Sequence, residues 1–450
     1  MLDSISVNID SINASDADTV TPMTDHEPAL AREARRLSTK ETAELLGVKP
    51  ETVYAYVSRG QLSSRRAGPG SRGSTFDADE VAALAQRNKR EPAASSPPGE
   101  LSVRTRITLI DKDRYYFRGV DAAELAAHHT YEEVAEWLWT GVLRPGIRFT
   151  APRQSLAAAR HAVGALPEHS GPVDRLRVAA VAAAVADPLR FDLSEEAVLG
   201  TARTLIPTLV AALPPVRHTH RDGGPLAQRL WGRLTGHESD DPSLKVLDTA
   251  LGLLVDHDLA ASTLAVRVAA SARAHAYAAV SAGLGVLEGP LHGAASGLAH
   301  RMLLEVLDRG SAAPVVADEL RAGRRVPGLG HRLYRGEDPR AQALFALLEE
   351  IPQAHSALAA ARDVVATTAR HTDLHANVDL ALAVFTVSCG MPAEAGETVF
   401  AVARTAGWIA HALEEYGERP LRMRPSGQYV GLRPPQPLPS PRGQVPGERG

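Results

Sequence analysis

The stretch AAELAAHHTYEEVAEWLW, residues 122–139, decides the fold class of most of this chain. Its apolar residues recur three and four positions apart, a spacing that places them on one face of a helix. The same spacing returns in DVVATTARHTDLH, residues 363–375, whereas alternating runs of β-branched residues are scarce. The pattern predicts a mainly helical body over about 101–430, without the internal repeat that a solenoid would need.

Three polar stretches divide the chain around this body. Residues 1–36 contain seven acids and three arginines but few large apolar side chains, which predicts a disordered tail. Residues 91–100, EPAASSPPGE, have the composition of a linker. Residues 431–450 contain six prolines and predict a second disordered, Pro-rich tail. A small module is therefore left at about 37–90.

Composition excludes several classes of protein. Of the 450 residues, 44% are hydrophobic, and the net charge of −4 rules out a bulk basic field, so that any contact with DNA must be local. One cysteine, Cys389, allows neither an intramolecular disulfide nor a Cys-based zinc site and fits a reducing cytosol. No apolar stretch is long enough to span a membrane, and the N-terminus does not read as a secretory signal. We expect a cytoplasmic protein.

A helix-turn-helix is predicted by LSTKETAELLGVKPETVYAYVSRGQL, residues 37–62. Ser38 and Glu41 have the spacing of a capping box, Gly47 ends the first helix, and Pro50 opens the second at a position that needs no N–H donor. A third helix is expected to begin after Asp77. Between the second and third helices lies a Gly/Ser-rich stretch with four arginines and no acid, which suits phosphate contacts.

This module resembles the winged helix-turn-helix modules of the excisionase and mercury-resistance-regulator (MerR) type. The resemblance implies that the second helix enters the major groove of DNA and that the wing contacts phosphates. Such modules also serve as protein-interaction or dimerisation units, and this alternative stays open. The candidate DNA-binding residues are Thr52, Tyr54, Tyr56, Arg59, Arg65, Arg66 and Arg72.

Histidines recur beside glycines at four places in the body. The segments are HDLAAST from His257, GPLHGAA around His292, VPGLGHRLYRGEDPRA around His331, and HANVD ending at Asp379. Two imidazoles and one carboxylate suit proton removal beside a carbonyl, because the carboxylate takes the proton and neutral histidines donate hydrogen bonds to the enolate and to an electrophilic carbonyl. A single histidine in such a loop is more often structural, so the prediction depends on the set.

Three arginines follow these segments, namely Arg340, Arg404 and Arg424. Guanidinium groups bind carboxylates through two parallel hydrogen bonds, so several of them imply a small dianionic or trianionic substrate. The alternative for Arg404 is the solvated face of an amphipathic helix. His371 and His375 have the i, i+4 spacing of metal ligands, but no glutamate accompanies them, and we expect no metal.

The body resembles citrate synthase from about residue 107 to Gly431. The motifs GPLHG, PGLGHRLYRGEDPRA, NVD, ARTAGWIAH and RPSGQYVG carry the resemblance, in this order. The resemblance implies a homodimer whose all-α body has a large domain, about 101–284 and 393–430, and a small mobile domain, about 285–392. Together with the N-terminal module, it looks like a bacterial subgroup of citrate synthase-like proteins.

The same resemblance implies roles for individual residues. His292 would hydrogen-bond the thioester oxygen of acetyl-CoA while Asp379 removes the methyl proton, and His331 would polarise the ketone of oxaloacetate. His257, Arg340 and Arg404 would hold oxaloacetate, and Arg424 would be contributed by the partner subunit. CoA would lie near Arg324, Arg325, Val326, Gly328 and Gly330. No cofactor is implied, since acetyl-CoA is a substrate.

Two departures from the family pattern leave the function open at this point. GAAS follows His292 where a second Gly and an Asn are common, and Ala376 precedes NVD where Pro is usual. Either change could lower activity or alter the acyl preference. The enzyme hypothesis is condensation of acetyl-CoA, or another short acyl-CoA, with oxaloacetate to give citrate and CoA. The alternative is a DNA-binding regulator whose synthase-like body senses oxaloacetate, citrate or CoA. Asp379 favours the enzyme, because binding alone does not require a base.

Overall fold

A computed structural model gives the fold of the chain in two compact units, residues 1–102 and 103–450. The predicted linker and nearly all of both predicted tails lie outside the residues that the structure describes. The described residues are 36–58, 62–66, 73–82, 103–216, 224–289, 292–293, 295–423, 425, 428–433 and 435–436.

The N-terminal unit combines short helices with a three-stranded antiparallel sheet of order β1-β3-β2. Its small core includes Val53, Phe76 and Val81, all fully buried. Its elements are β1 (Arg36–Ser38), α1 (Thr39–Leu46), α2 (Pro50–Ser58), β2 (Ser64–Arg66), β3 (Ser74–Asp77) and the described part of α3, residues 78–82.

Side-chain caps fix the ends of these helices. Ser38 Oγ accepts a hydrogen bond from the Glu41 backbone N–H at 3.3 Å, and the Glu41 carboxylate accepts one from the Ser38 N–H at 2.8 Å. Gly47 ends α1 in the left-handed conformation, at φ 65°. Asp77 accepts hydrogen bonds from the first N–H groups of α3. Each cap satisfies backbone groups that a free helix end leaves unpaired. Both helices lie where the sequence predicts them, so the predicted helix-turn-helix is confirmed.

The second unit is mainly helical, as the apolar spacing predicts. It also contains a small antiparallel sheet of β4 (Thr108–Asp111), β5 (Arg114–Phe117) and β6 (Val120–Asp121). Its first helices are α4 (Ala122–His128), α5 (Tyr131–Thr140), α6 (Arg153–Gly164), α7 (Pro172–Val185), α8 (Glu195–Ala212), α9 (Leu226–Leu234), α10 (Asp241–Leu254), α11 (Ala261–Ser271) and α12 (Ala276–Leu287). They are followed by α13 (Ala295–Arg309), α14 (Ala312–Arg321), α15 (Pro339–Glu349), a short 3-10 turn (Pro352–Ala354), α16 (His355–Ala369), α17 (Val378–Ser388) and α18 (Ala395–Tyr416).

Helix α18 lies at the centre of this unit and is buried on nearly every side. It packs against α5, α7, α8, α10, α11, α12, α13 and α17. Its small residues allow this close approach, and aromatic side chains donate to its carbonyl groups: Tyr131 to Val402 O at 3.0 Å and Trp139 to Ala406 O at 2.8 Å. A helix with apolar residues on every face is stable only when it is enclosed in this way.

The four histidine-containing segments all lie where one helix ends and the next begins. His257 follows α10, His292 lies between α12 and α13, His331 lies between α14 and α15, and Asp379 is in the first turn of α17. Helices α13 to α17 pack on one another in the part of the chain predicted as the small domain. Its bounds and mobility stay predictions. In the part of the chain that the structure describes, no helix has both the length and the apolar character needed to cross a membrane.

We expect replacement of Gly407 by alanine to destabilise the protein. A Cβ at this position would lie 2.1 Å from the Val255 carbonyl oxygen, which is backbone and cannot move aside cheaply. Overpacking of this kind should lower the free energy of unfolding by about 3 kcal/mol. Gly200→Ala is the matched control: it lies in α8 with open space around it and should stabilise by about 0.5–1 kcal/mol. Urea unfolding of both variants tests this, and equal effects would contradict the packing described for α18.

Candidate active site

Two of the four segments are joined by backbone hydrogen bonds. Leu329 and Ala376 form an isolated antiparallel bridge, and the Gly330 N–H donates to His375 O at 2.7 Å. The Asn377 side chain donates to Gly330 O at 2.9 Å. Residues 328–330 and 375–377 are therefore held side by side, and we call this pair of strands the loop bridge. It brings the segment of His331 next to the start of α17.

Asn377 also fixes the first turn of α17. Its side-chain oxygen accepts from the N–H groups of Asp379 at 3.0 Å and Leu380 at 3.4 Å, as an N-cap does. Gly328, at φ 79°, approaches α17 so closely that a Cβ there would lie 2.8 Å from that of Leu380. A side chain at position 328 is thus excluded by both conformation and space. Asp379 is held in one place relative to the loop bridge.

The imidazole rings of His257 and His331 lie against each other. Their rings cross at right angles with centroids 5.0 Å apart, and Tyr334 contacts both. His257 Nε2 is 2.7 Å from the Tyr334 hydroxyl. The Leu333 backbone N–H donates to Nδ1 of His331 at 3.1 Å, which leaves Nε2 to carry the proton when the ring is neutral.

Burial and nearby guanidinium groups keep both of these rings neutral. Burial, followed by the charge of Arg340, lowers the pKa of His331 to about 4, while Asp338 opposes the change. Burial, then Arg340 and Arg404, hold the pKa of His257 well below its usual value. A neutral ring whose N–H is free is a hydrogen-bond donor for an electrophilic carbonyl.

Arg340 is almost fully buried and bound by Asp338 through two parallel hydrogen bonds. Its Nε donates to Oδ1 at 2.9 Å and its Nη2 to Oδ2 at 2.7 Å. Asp338 also accepts from the Val378 N–H at 3.1 Å and so ties Arg340 to the start of α17. Burial alone would lower the pKa of Arg340, but Asp338 raises it above its usual value. The guanidinium is therefore a fixed positive charge.

The carboxylate of Asp379 is the group in this region best suited to act as a base. It has no hydrogen-bond partner among the described residues. Burial is the main cause that raises its pKa to about 6; the positive charge of Arg340 opposes this rise, and the negative charge of Asp338 adds to it. A carboxylate with this pKa is ionised at neutral pH yet more basic than an ordinary one.

His292 is held by a chain of two polar side chains. Its Nε2 is 2.7 Å from Ser262 Oγ, and Trp408 Nε1 is 3.3 Å from the same oxygen. Because an indole N–H only donates, Ser262 accepts from Trp408 and has its own hydrogen to give to His292. When Ser262 donates this hydrogen to Nε2, the neutral ring of His292 carries its proton on Nδ1. Burial, followed by Arg404, lowers the pKa of His292, which favours the neutral ring.

Arg404 lies close enough to both His257 and His292 for its charge to lower the pKa of each. Only 1% of its surface is exposed, so the alternative of a solvated helix face is wrong for this residue. Its Nε donates to Leu254 O at 2.9 Å, and its guanidinium lies 4.5 Å from the ring centroid of Phe400. Burial lowers the pKa of Arg404 to about 10, Asp256 opposes this, and Arg340 adds to it. Its terminal nitrogens have no hydrogen-bond partner among the described residues.

The predicted CoA-binding residues and Arg424 differ in their placement. Arg324 and Arg325 are exposed, and Arg324 is bound to Glu319 at 2.7 and 3.0 Å. Val326 is buried and Gly328 and Gly330 belong to the loop bridge. Arg424, predicted for the partner subunit's site, lies outside the described residues. Among the residues that are described, no group of three or more His, Cys, Asp or Glu side chains is arranged to hold a metal.

In the N-terminal unit, the candidate DNA-binding residues differ in exposure. Tyr54 is 48% exposed and its hydroxyl lies 3.3 Å from Thr39 Oγ1. Thr52 is half-buried, and Tyr56 packs against the small core. Arg65 is exposed on β2, and Arg66 follows it on the same strand. Arg59 and Arg72 lie outside the described residues.

Sequence reasoning missed the residues that orient the candidate groups. Tyr334 and Asp338 lie within the quoted segment around His331, and Ser262 lies within HDLAAST, so each was adjacent to a recognised residue. Trp408 belongs to the buried core, and its N–H also reaches Ser262. A buried indole or carboxylate needs a partner, and that need was the available signal.

Comparisons with known proteins agree for both units. The family model "Citrate synthase, C-terminal domain" matches residues 98–426, and a "Helix-turn-helix domain" model matches residues 36–89. The citrate synthase of Haloferax volcanii is 32% identical over 74% of this chain and 94% of its own length. A 2-methylcitrate synthase of Shewanella oneidensis is 27% identical over 72% of this chain and 90% of its own.

Solved structures give the same result. The crystal structure of citrate synthase from Pyrobaculum aerophilum matches with a TM-score of 0.63 and 27% identity, over 75% of this chain and 92% of that chain. The family model covers well over half of the present sequence. The chain therefore belongs to the citrate synthase family, as a citrate synthase-like enzyme with a helix-turn-helix domain at its N-terminus.

Proposed function

We propose that this protein condenses acetyl-CoA, or another short acyl-CoA, with oxaloacetate to give citrate and CoA. One observation carries the proposal: Asp379, a carboxylate with a pKa of about 6 and no hydrogen-bond partner among the described residues, lies near buried Arg340 at the start of α17, which the loop bridge joins to the segment of neutral His331. A base, a neutral donor and a fixed cation suit the formation of a carbon nucleophile next to an anionic electrophile.

In the first step, Asp379 removes a proton from the carbon next to the thioester carbonyl. The electron pair of that C–H bond forms the C=C bond of an enolate, and Nδ1–H of His292 donates a hydrogen bond to its oxygen. The Trp408–Ser262 chain supports this role, because it leaves the proton of His292 on Nδ1. A donor of this kind is typically worth about 3 kcal/mol in the transition state.

In the second step, the enolate carbon attacks the ketone of oxaloacetate. Nε2–H of His331 polarises that ketone and protonates the resulting alkoxide, while His257, Arg340 and Arg404 bind the substrate carboxylates. Water then cleaves the citryl thioester to citrate and CoA. The free terminal nitrogens of Arg404 and the remaining Nη1 of Arg340 support carboxylate binding.

The proposal extends to assembly and to binding of CoA. We infer a homodimer in which Arg424 reaches the partner's site, and the small domain, about 285–392, closes over oxaloacetate. Exposed apolar side chains at the end of α7 and just after it support an interface between subunits: Val181, Val185, Leu189 and Phe191.

CoA would contact Arg324, Arg325 and the backbone of Val326, Gly328 and Gly330, and no cofactor is required. Cys389, the single thiol, fits a cytoplasmic location.

For the N-terminal unit we propose DNA binding, through α2 in the major groove and the wing on phosphates. The exposed Tyr54 and Arg65 support this, with Thr52, Tyr56, Arg59, Arg66 and Arg72 as the further candidates. The relatives are named as synthases. The comparisons therefore do not support the alternative of a regulator whose body only senses oxaloacetate, citrate or CoA.

Asp379→Asn should lower turnover by about 10²- to 10⁴-fold, because the base is lost, and leave oxaloacetate affinity within about twofold. Thiol release from acetyl-CoA and calorimetric titration of oxaloacetate measure the two effects. Asp373→Asn, an exposed change in the same segment, is the control. Equal loss of turnover and oxaloacetate affinity would show that Asp379 binds substrate instead.

The same variant should be folded. Because the pKa of Asp379 is raised in the folded protein, ionisation of this group opposes folding above its ordinary pKa, and the full cost is present above about pH 6. Removing the charge should therefore leave the free energy of unfolding at pH 7 unchanged or higher. At pH 4 the variant and the wild type should have nearly equal stability.

The value of kcat/KM for acetyl-CoA should fall about tenfold per pH unit below about pH 6. Asp379 is protonated there and cannot act as the base. His331, with a pKa of about 4, stays neutral over most of this range and should not produce the transition. Initial rates from pH 5 to 8 measure the profile. A flat profile in the wild type would contradict the assigned base.

Arg65→Gln should weaken binding of random-sequence duplex DNA by the full-length protein. Loss of one phosphate contact should also reduce the slope of log Kd against log salt by about 1. Arg419→Gln makes the same change of net charge on the exposed surface of the second unit and should have little effect. If both variants bind DNA equally well, or neither protein binds DNA, the N-terminal unit acts as a protein-interaction module.

A further inference from the structure

A cavity of about 450 Å³ lies at the C-terminal end of α18. It begins near Ala410 and Leu413, about two to three helical turns beyond Arg404, so it is separate from the candidate active site. Its size is that of a small-molecule site. The residues that line it are Arg106, Ile107, Arg118, Leu138, Trp139, Leu193, Glu195, Ala410, Leu413, Glu414, Tyr416 and Gly417.

The lining combines apolar side chains with two guanidinium groups. The side chain of Arg106 has no hydrogen-bond partner among the described residues, and Arg118 uses only Nη1, toward Leu138 O at 2.9 Å. Of the two acids, Glu414 is already engaged, because it accepts from Arg267 at 2.8 Å and from the Arg106 backbone N–H at 2.7 Å. Two available cations face one exposed acid, so the cavity favours a ligand with a negative charge and an apolar body.

A continuous series of hydrogen bonds runs from this cavity toward the candidate active site. Glu414 accepts from Arg267, whose Nη1 also donates to Nδ1 of His411 at 2.9 Å. Nε2 of His411 donates to Asp256 at 3.2 Å. All four groups are largely buried, so their interactions are screened little by solvent.

A second route reaches the same carboxylate through β4. Thr108, two residues after Arg106, donates its hydroxyl to Asp256 Oδ2 at 2.5 Å. Asp256 comes directly after Leu254 and Val255 in the chain. The carbonyl oxygen of Leu254 accepts the hydrogen bond from Nε of Arg404. The close packing of Gly407 on Val255 and Asp256 leaves no room for residues 254–256 to move independently of α18. A displacement at the cavity would therefore reach the Arg404 guanidinium.

We propose that the cavity binds a small carboxylate with an apolar chain, and that its occupancy changes the affinity of the protein for oxaloacetate. The positive charges of Arg106 and Arg118 and the apolar lining residues support the binding of such a carboxylate. The two routes to Asp256 carry the second part, which rests on the proposed function, since it assumes that Arg404 binds oxaloacetate.

Direct binding is tested with hexanoate and with hexanamide, which has nearly the same shape and no charge. Calorimetry on the full-length protein should show saturable binding of hexanoate and at least tenfold weaker binding of hexanamide. Arg106→Gln should weaken hexanoate binding at least fivefold. Arg104→Gln, an exposed change in the same segment that does not line the cavity, should bind as the wild type does. No saturable binding, or equal affinity in the Arg106 and Arg104 variants, would overturn the site.

Coupling is tested by measuring the Kd of oxaloacetate with and without saturating hexanoate. We expect at least a threefold change in the wild type and a smaller one in Thr108→Val, which cuts the route through β4. Hexanoate binding without any change in the oxaloacetate Kd would overturn the coupling and leave the site standing. If oxaloacetate does not bind at all, the proposed function fails. Hexanoate binding then still shows whether the cavity is a ligand site.

Discussion

The candidate active site depends on the loop bridge. Short backbone hydrogen bonds join residues 328–330 to residues 375–377, and the Asn377 side chain adds one more contact to each side. Without the bridge, Asp379 and His331 would belong to two unrelated helix connections more than forty residues apart in sequence. The bridge gives a base and a hydrogen-bond donor one fixed geometry, and such pre-organisation lowers a barrier without reorganisation at the moment of reaction.

Burial sets the charge of each group around this bridge. The imidazoles of His257, His292 and His331 are all shifted toward the neutral form, because they are buried and lie near guanidinium groups. The same burial raises the pKa of Asp379 to about 6, so that this carboxylate is more basic than an ordinary one but still ionised at pH 7. Proton removal by a carboxylate, with neutral donors on both reacting carbonyls, requires this combination of charges near neutral pH.

Much of this arrangement follows from the sequence, because the decisive signals are local. The capping box of Ser38, the apolar spacing of residues 122–139 and the four histidine segments are each readable over a few residues. The partners of Arg340 and His292 were not predicted. Asp338 lies only two residues before Arg340 and was overlooked, whereas Ser262 is thirty residues from His292 in the chain and becomes its partner only when the helices pack. The same holds for the small sheet β4–β6, whose strands of two to four residues give too few alternating positions to be recognised.

The indole of Trp408 links the packing of α18 to the tautomer of His292, and this link restricts how the sequence can change. The indole occupies space that only a glycine at position 283 leaves open, since a Cβ there would lie 2.8 Å from its ring. A smaller residue at 408 would leave a void and free the hydroxyl of Ser262 to point elsewhere. Positions 262, 283 and 408 should therefore diverge together among descendants of this chain, although they are distant along it.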